Sequence, residues 1–391
     1  KEEADRVAID IFTGNLRQLL LGAPLRGRRV LAIDPGYRTG CKTVALDEQG
    51  ALLEHTVIYP TAPRNDTEGA ARTLRSLVAR HRLDAVSLGN GTASRETERF
   101  LKNSRILPDE AIYMVSEDGA SVYSASEEGR REFPDEDVTV RGAVSIGRRL
   151  IDPLAELVKI DPKSIGVGQY QHDVDQSRLR NALSYTVMSC VNSVGVDLNT
   201  ASASLLQYVS GIGHTLADNI VAYRNANGAF HSRAELRKVP RLGAKAFEQC
   251  AGFLRVAGGS EPLDNTGIHP ESYPLVKEMA RSIGVSVEEL PANGALLDRI
   301  DIDRLVREGK GGAETMRDII AELRKPGRDP RTDSGTDAFR PGVEEFGQLH
   351  VGQVLPGKVV NITAFGAFID LGIKENGLLH ISRLSSRRVA A

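Results

Sequence analysis

Two carboxylates and one amide stand directly after predicted strands, where side chains at one edge of a sheet could act together. Asp34 closes the apolar run RRVLAID, Asn90 follows AVSLG, and Glu117 follows YMVS. Phosphodiester hydrolysis by two metal ions needs several converging carboxylates, and a neutral amide is a poor anchor for Mg²⁺ beside phosphate. The set therefore favours a site without nuclease activity, in which Asp34 and Glu117 are vestigial. The alternatives are an active metal-dependent nuclease and, for Asp34, a plain turn residue, because Asp-Pro-Gly is turn chemistry.

A second group of candidates lies in a pattern that occurs twice within residues 204–256. SLLQYVSGIGHTLADNIVAYR is followed by AELRKVPRLGAKAFEQCAGFLRV, and Leu206 matches Leu236 at an offset of thirty residues. Each copy predicts a short helix, a glycine-containing hairpin and a second helix. A residue without Cβ lets the chain turn tightly and bring N–H groups close to phosphate, and the following helix adds unpaired donors and its positive dipole end. The candidate nucleic-acid-binding residues are Gly211, Ile212, Gly213 and His214 in the first copy, and Arg241, Gly243 and Lys245 in the second.

These hairpins have two interpretations, an ordinary helical turn and a contact to nucleic acid, and the duplication favours the second. A single glycine hairpin would more often be an ordinary helical turn, whereas two copies favour contacts to the nucleic-acid backbone that do not read sequence. Arg241 stands where the first copy has Gly211, which adds a positive charge and leaves the backbone geometry of the second hairpin open. The second copy carries several basic residues, namely Arg233, Arg237, Lys238, Arg241, Lys245 and Arg255.

The C-terminal segment changes to a pattern of alternating strands. Its runs GKVVNITAFGAFIDL and GLLHIS resemble an OB-fold RNA-binding domain of the ribosomal S-one type. Such domains stack bases on aromatic rings beside a basic groove. The alternative is that the phenylalanines fill the core of the small barrel. The resemblance implies a stacking platform with neighbouring phosphate partners at Phe365, Phe368, His380, Lys358 and Arg383.

Length and composition indicate a globular protein of several domains. The chain has 391 residues, 41% hydrophobic and 26% charged, which is too long for a single core. The net charge of −2 provides no global basic field, so a nucleic-acid-binding face must be local. Cys41, Cys190 and Cys250 are scattered without metal-ligand spacing and suit a reducing compartment. The sequence has no membrane-spanning apolar run and no signal-peptide pattern, so we expect a cytoplasmic protein. We also expect that it needs no metal or cofactor.

The elements that must position these residues fall into separate modules. The strand RRVLAIDPG, a hairpin at 42–60, the amphipathic helix TEGAARTLRSLVARH and two further strands follow the order of a ribonuclease-H-like fold, an order that other α/β folds share. The predicted fold class is therefore multidomain: a ribonuclease-H-like α/β domain, a tandem helix-hairpin-helix domain and a partial OB-fold barrel. The expected boundaries are 1–27 for the end of a larger helical region, 28–132 for the α/β domain, 133–200 for a helical connector, 201–262 for the tandem hairpins, 263–345 for a helical segment and linker, and 346–391 for the partial OB domain.

The α/β segment resembles the YqgF family, relatives of the RuvC resolvases, in VLAIDPGYRTG, SLGNGTASRETE and VSEDGASVYSAS. The order of a YqgF-like domain, tandem hairpins and an S-one domain resembles the Tex family of bacterial transcription accessory proteins over nearly the whole chain. This resemblance implies a scaffold that binds RNA or DNA during transcription, contacts the transcription machinery and lacks catalysis. The alternatives are a metal-dependent nuclease or resolvase acting on structured nucleic acid, and a platform that binds only proteins.

Overall fold

The computed structural model describes residues 2–168, 170–327, 329–333, 350–352, 358–363, 366–370 and 377–383. The chain divides into two compact units, one of residues 1–186 with 332–391 and one of residues 187–331. The predicted fold class is confirmed, because a mixed sheet with helices is followed by helical hairpins and a small antiparallel sheet.

A five-stranded mixed sheet forms the centre of the α/β domain. Its strands are β1 (Val30–Asp34), β2 (Cys41–Leu46), β3 (Leu52–Ile58), β4 (Ala85–Gly89) and β5 (Ile112–Val115), in the order β3-β2-β1-β4-β5. The first three strands pair antiparallel, whereas β4 and β5 extend the sheet parallel to β1. This topology is the predicted ribonuclease-H-like one, and it brings the carboxyl ends of β1, β4 and β5 to the same edge.

Helices cover both faces of this sheet, because residues along the strands alternate between two apolar cores: α2 (Thr67–His81) and α3 (Ser94–Ser104) pack on one face, and α6 (Val138–Ile151) packs on the other. The other helices up to residue 157 are α1 (Glu2–Leu20), α4 (Ala120–Ala125), α5 (Glu127–Glu132) and α7 (Pro153–Leu157). Leu31 of β1 shares a core with Leu74 of α2, whereas Ala32 shares the opposite core with Val144 of α6. The helix α6, which the sequence boundaries assigned to the connector, therefore forms a layer of the α/β domain, because its apolar face is buried against the strands.

The segment after α7 contains the run IGVGQYQHDV, and the structure gives it a packing role. A Cβ at Gly168 would lie 2.2 Å from the ring of Phe12, so the backbone passes directly over a residue of α1. Asn15 of the same helix donates a hydrogen bond to the Val167 carbonyl at 2.7 Å, and the buried Gln171 side chain accepts one from the Val167 N–H at 3.1 Å. The run therefore fixes α1 to the rest of this unit.

The helices from residue 176 onward are α8 (Gln176–Val194), α9 (Ala203–Leu206), α10 (His214–Asn227), α11 (Ala244–Cys250), α12 (Tyr273–Ser282), α13 (Gly294–Leu297), α14 (Ile302–Arg307) and α15 (Ala313–Arg324). Two short parallel strands, β6 (Val196–Asp197) and β7 (Leu254–Arg255), join the segment before the hairpins to the segment after them. The tandem hairpins therefore form a closed module within the second unit.

A buried arginine joins this module to the helices that follow it. Arg233 opens the 3₁₀ turn Arg233–Lys238 and is fully buried. Its Nη1 donates to the Ile268 carbonyl at 2.7 Å, and its backbone N–H donates to the Asp264 carboxylate at 2.6 Å. Tyr273 donates its hydroxyl to the same carboxylate at 2.6 Å. Although Arg233 belongs to the basic residues of the second copy, its charge is thus used inside the protein.

The C-terminal segment contributes a three-stranded antiparallel sheet of β8 (Lys358–Thr363), β9 (Gly366–Asp370) and β10 (Gly377–His380), in the order β10-β9-β8. Phe365 lies outside the described residues. Across the part of the chain that the structure describes, no helix is both long and apolar enough to cross a membrane.

Candidate nucleic-acid interface

The first hairpin turns at Gly211, between α9 and α10. This glycine has φ +81°, and a Cβ there would lie 2.6 Å from Cβ of Gln249 in α11. Ile212 is buried, and its N–H donates to the Val209 carbonyl at 2.9 Å. Both residues were predicted to meet nucleic acid. The structure gives them a role in forming the turn, because the one packs on α11 and the other fills the core.

Gly213 is the open position of the first hairpin. It is the N-cap of α10, no side chain caps this helix end, and no atom lies within 4 Å of the place where a Cβ would stand. The first backbone bond of the helix joins the Ala217 N–H to the Gly213 carbonyl at 3.0 Å. Within the described residues, the amides of 213–216 have no backbone acceptor. Unpaired amides at a helix N-terminus suit an anion, and a phosphate can approach them here.

The second hairpin repeats this geometry without a glycine at its turn. Arg241 has φ +66°, close to the value at Gly211. Leu242 is buried as Ile212 is, and Gly243 caps α11 with no atom within 4 Å of the point that a Cβ would occupy. The geometry that the sequence left open is therefore settled, since the arginine adopts the left-handed conformation that a glycine adopts in the first copy.

Exposed positive charge is concentrated on the second hairpin. Arg241 and Lys245 are exposed, and neither has a carboxylate partner among the described residues. Lys238 is paired with Glu235 at 3.0 Å, and the guanidinium of Arg237 lies 4.4 Å from the ring centre of Phe247. Arg241 and Lys245 are therefore the cations of this hairpin that are available to phosphate.

The first hairpin carries a different set of charges. Its exposed His214 lies at the start of α10, with Nδ1 3.8 Å from Oδ2 of Asp218. Arg255, at the end of the second copy, is half-buried, and burial together with the charge of Arg233 lowers its pKa to about 10. The two hairpins thus share one backbone geometry, but the first carries His214 beside Asp218, whereas the second carries the exposed cations Arg241 and Lys245.

The C-terminal sheet places three of its candidates on described strands. Phe368 pairs with Leu378, and Gly366 pairs with His380, so these four residues share one face of the sheet. Phe368 is half-buried, whereas Leu378 and His380 are exposed. Lys358 opens β8, and Arg383 is exposed in the turn after β10. Leu378 was not among the sequence candidates, although its pairing with Phe368 puts it beside them.

The two carboxylates and the amide of the α/β domain meet at the carboxyl ends of β1, β4 and β5. Asn90 donates its backbone N–H to the Val115 carbonyl at 3.0 Å, and its side-chain Oδ1 accepts the Glu117 N–H at 3.1 Å. Arg149 of α6 is buried behind this loop and donates to the carbonyls of Ser116 at 2.6 Å and Asp118 at 2.8 Å. The amide oxygen of Asn90 therefore supports the backbone that carries Glu117.

Asp34 and Glu117 line a cavity of about 280 Å³. Burial raises the pKa of Asp34, which Lys42 opposes. Burial and then the charge of Asp34 raise the pKa of Glu117. Helix α6 contributes Thr139 and Gly142 to the cavity, and the described residues contain no group of three or more His, Cys, Asp or Glu side chains that could hold a metal ion. Within the described residues, this edge of the sheet thus brings together two carboxylates, Asp34 and Glu117, and the hydrogen-bonded amide of Asn90.

Comparison with protein families assigns the same succession of modules. Residues 28–151 match the Tex protein YqgF-like domain, residues 191–255 the helix-hairpin-helix motif, residues 261–331 an HHH domain, and residues 348–390 the S1 RNA binding domain. The first match includes α6, in agreement with its place in the α/β domain.

Several curated proteins are similar to this chain over nearly its whole length. Protein tex of Bordetella pertussis is 52% identical over 392 residues, which cover 100% of this chain and 49% of that protein. Transcriptional accessory protein Tex of Neisseria gonorrhoeae is also 52% identical, over 100% of this chain and 51% of its own length. The human S1 RNA-binding domain-containing protein 1 is 35% identical, over 99% of this chain and 45% of its own. The chain thus spans about half the length of the curated relatives it matches.

The fold and its sites define a multidomain protein that joins a ribonuclease-H-like domain to helix-hairpin-helix and S1 domains, which are nucleic-acid-binding types. With these matches in the same order and its close relatives, the chain belongs to the Tex family.

Proposed function

We propose that this chain is a cytoplasmic scaffold that holds RNA or DNA by its backbone during transcription. The observation that carries the proposal is the repeated hairpin, in which Gly213 and Gly243 leave their helix ends open. Contacts from backbone amides and from Arg241 and Lys245 would bind phosphates without distinguishing bases. The role in transcription is taken from the name of the Neisseria gonorrhoeae relative, and three cysteines without disulfides suit a reducing compartment.

The C-terminal sheet supports a separate contact to nucleic acid. Phe368, Leu378 and His380 occupy one face with a half-buried ring and two exposed side chains. A base can stack on such a surface, because every base has an apolar face that an aromatic ring can meet. The hairpins would then hold the backbone, and the sheet would hold exposed bases.

A binding titration tests this proposal. The full chain is titrated with single- and double-stranded DNA and RNA of unrelated sequences, with and without Mg²⁺. We expect measurable affinity that varies little among sequences, falls with salt and does not depend on Mg²⁺. Affinity confined to one sequence, or no binding to any of the probes, would contradict the proposal.

We infer that the α/β domain is not a nuclease. The inference rests first on Asn90, whose amide oxygen accepts a hydrogen bond from the Glu117 backbone N–H. It rests also on Gly142: a Cβ at this position would lie 3.7 Å from Oδ2 of Asp34, but glycine has no side chain to bind a metal ion. Purified protein with Mg²⁺ or Mn²⁺ should therefore leave single strands, duplexes and four-way junctions intact. Metal-dependent cleavage that disappears in Asp34→Ala would favour the alternative, a nuclease or resolvase acting on structured nucleic acid.

A further inference from the structure

The two hairpins are joined by reciprocal contacts that the repeat itself places. Asn219 of α10 donates its side-chain amide to the Pro240 carbonyl of the second hairpin at 2.9 Å. In return, the first hairpin packs on α11, where Gln249 Cβ is 2.6 Å from the Cβ position of Gly211. Asn219 and Gln249 are separated by the same thirty residues as the hairpins. Each second helix therefore contacts the turn of the other copy.

These contacts fix the distance between two unlike binding elements. The first hairpin offers the open amides that begin at Gly213, whereas the second offers the cations Arg241 and Lys245. A polynucleotide carries phosphates at regular intervals, so different phosphates of one backbone can meet the two elements. A fixed spacing allows both elements to engage one backbone without an additional loss of freedom on binding.

We propose that Asn219 is a positioning residue that makes the two hairpins a single two-point clamp for a polynucleotide backbone, an inference that rests on the proposed function. Its amide touches no ligand in this role. It acts by holding the turn that contains Pro240 and Arg241. The helix α11 follows this turn, so Lys245 is positioned to meet one phosphate while the first hairpin binds another.

The test compares Asn219→Leu, which keeps the branching of the side chain at Cγ and removes the donor, with Asn227→Leu. Asn227 lies on the same helix, and its side-chain amide donates to the Tyr223 carbonyl, four residues earlier, at 2.9 Å. We expect Asn219→Leu to weaken binding of the full chain to DNA of about 16 nucleotides, single- or double-stranded, by about three- to tenfold, the range that follows from loss of one hydrogen bond. Asn227→Leu should bind like the wild type. If Asn219→Leu does not fold, Asn219→Ala removes the donor without adding charge or bulk.

A double-mutant cycle with Lys245→Ala separates positioning from general destabilisation. Lys245→Ala should weaken binding in the wild-type background and have a much smaller effect beside Asn219→Leu, because Lys245 is then no longer held against the ligand. Equal effects of Lys245→Ala in both backgrounds would overturn the positioning role and leave the proposed function intact. If neither Lys245→Ala nor Gly213→Val changes binding in folded protein, the proposed hairpin interface itself is wrong.

Discussion

Replacing Arg241 with glycine should stabilise the protein and weaken its binding at the same time. Arg241 has φ +66°, in a turn where the first copy has Gly211 at φ +81°. A side chain in the left-handed region costs about 1–2 kcal/mol, and the extra freedom of glycine in the unfolded chain offsets about 0.5–1 kcal/mol of the gain. Arg241→Gly should therefore raise the free energy of unfolding by up to about 1.5 kcal/mol, which is a rise of up to about 6 °C in melting temperature.

The same substitution removes an exposed cation that has no carboxylate partner among the described residues. The slope of log affinity against log salt should fall by about 0.7–0.9, the value for one lost phosphate contact. Calorimetry and salt titrations are run on Arg241→Gly beside Arg241→Ala, which loses the same charge and keeps the strained backbone. We expect equal losses of binding and higher stability only for the glycine variant. A glycine variant that is less stable than the wild type, or a salt slope that is unchanged in both, would refute this reasoning.

Three further predictions concern other parts of the chain. Burial raises the pKa of Asp34 in the folded protein, so the native state binds more protons at this carboxyl than the unfolded chain does. The contribution of Asp34 to stability therefore falls as the pH rises through the folded-state pKa. In urea unfolding, Asp34→Asn should be more stable than the wild type at pH 7, and the difference should be smaller at pH 4. Gly211→Ala should lower the melting temperature more than Gly243→Ala does, because Gly211 combines a positive φ with a contact to Gln249, whereas nothing lies within 4 Å of the Cβ position of Gly243 and its replacement costs only the N-cap preference for glycine over alanine. Phe365→Ala should weaken binding to single-stranded RNA by about 1–3 kcal/mol if this ring stacks on a base, and an unchanged affinity would point to a core role.

The sheet of the α/β domain could be predicted from the sequence because its strands are short apolar runs that end in turn residues. The position of α6 could not, because the pattern of a buried helix does not say which face it covers. Val144 of α6 meets Ala32 from a strand more than a hundred residues earlier. Such pairings are decided by packing between elements that are distant in the chain.

The hairpins were recognisable because the repeat preserves both glycine and apolar positions. The separate roles of Gly211 and Gly213 were not, since both are glycines of one turn and only the neighbouring α11 distinguishes them. The sequence also could not show that the charge of Arg233 is buried, because its hydrogen-bond partners are carbonyls and a carboxylate from residues 264–268. The repeat does contain a pattern that indicates the contacts between the hairpins, since Asn219 and Gln249 occupy equivalent positions and both have polar side chains.

The most direct test of the central claim is the affinity of Gly213→Val for nucleic acids of unrelated sequence. The backbone at Gly213, with φ −98° and ψ 178°, accepts valine, and its Cβ would meet no atom within 4 Å, so the variant should fold. Gly14→Val is the matched control, because Gly14 is also exposed and open but lies in α1. If phosphate approaches the open amides of α10, Gly213→Val should lose affinity by a similar factor for every sequence, while Gly14→Val binds like the wild type. Wild-type affinity in a folded Gly213→Val protein would contradict the account and place the nucleic-acid site away from the hairpins.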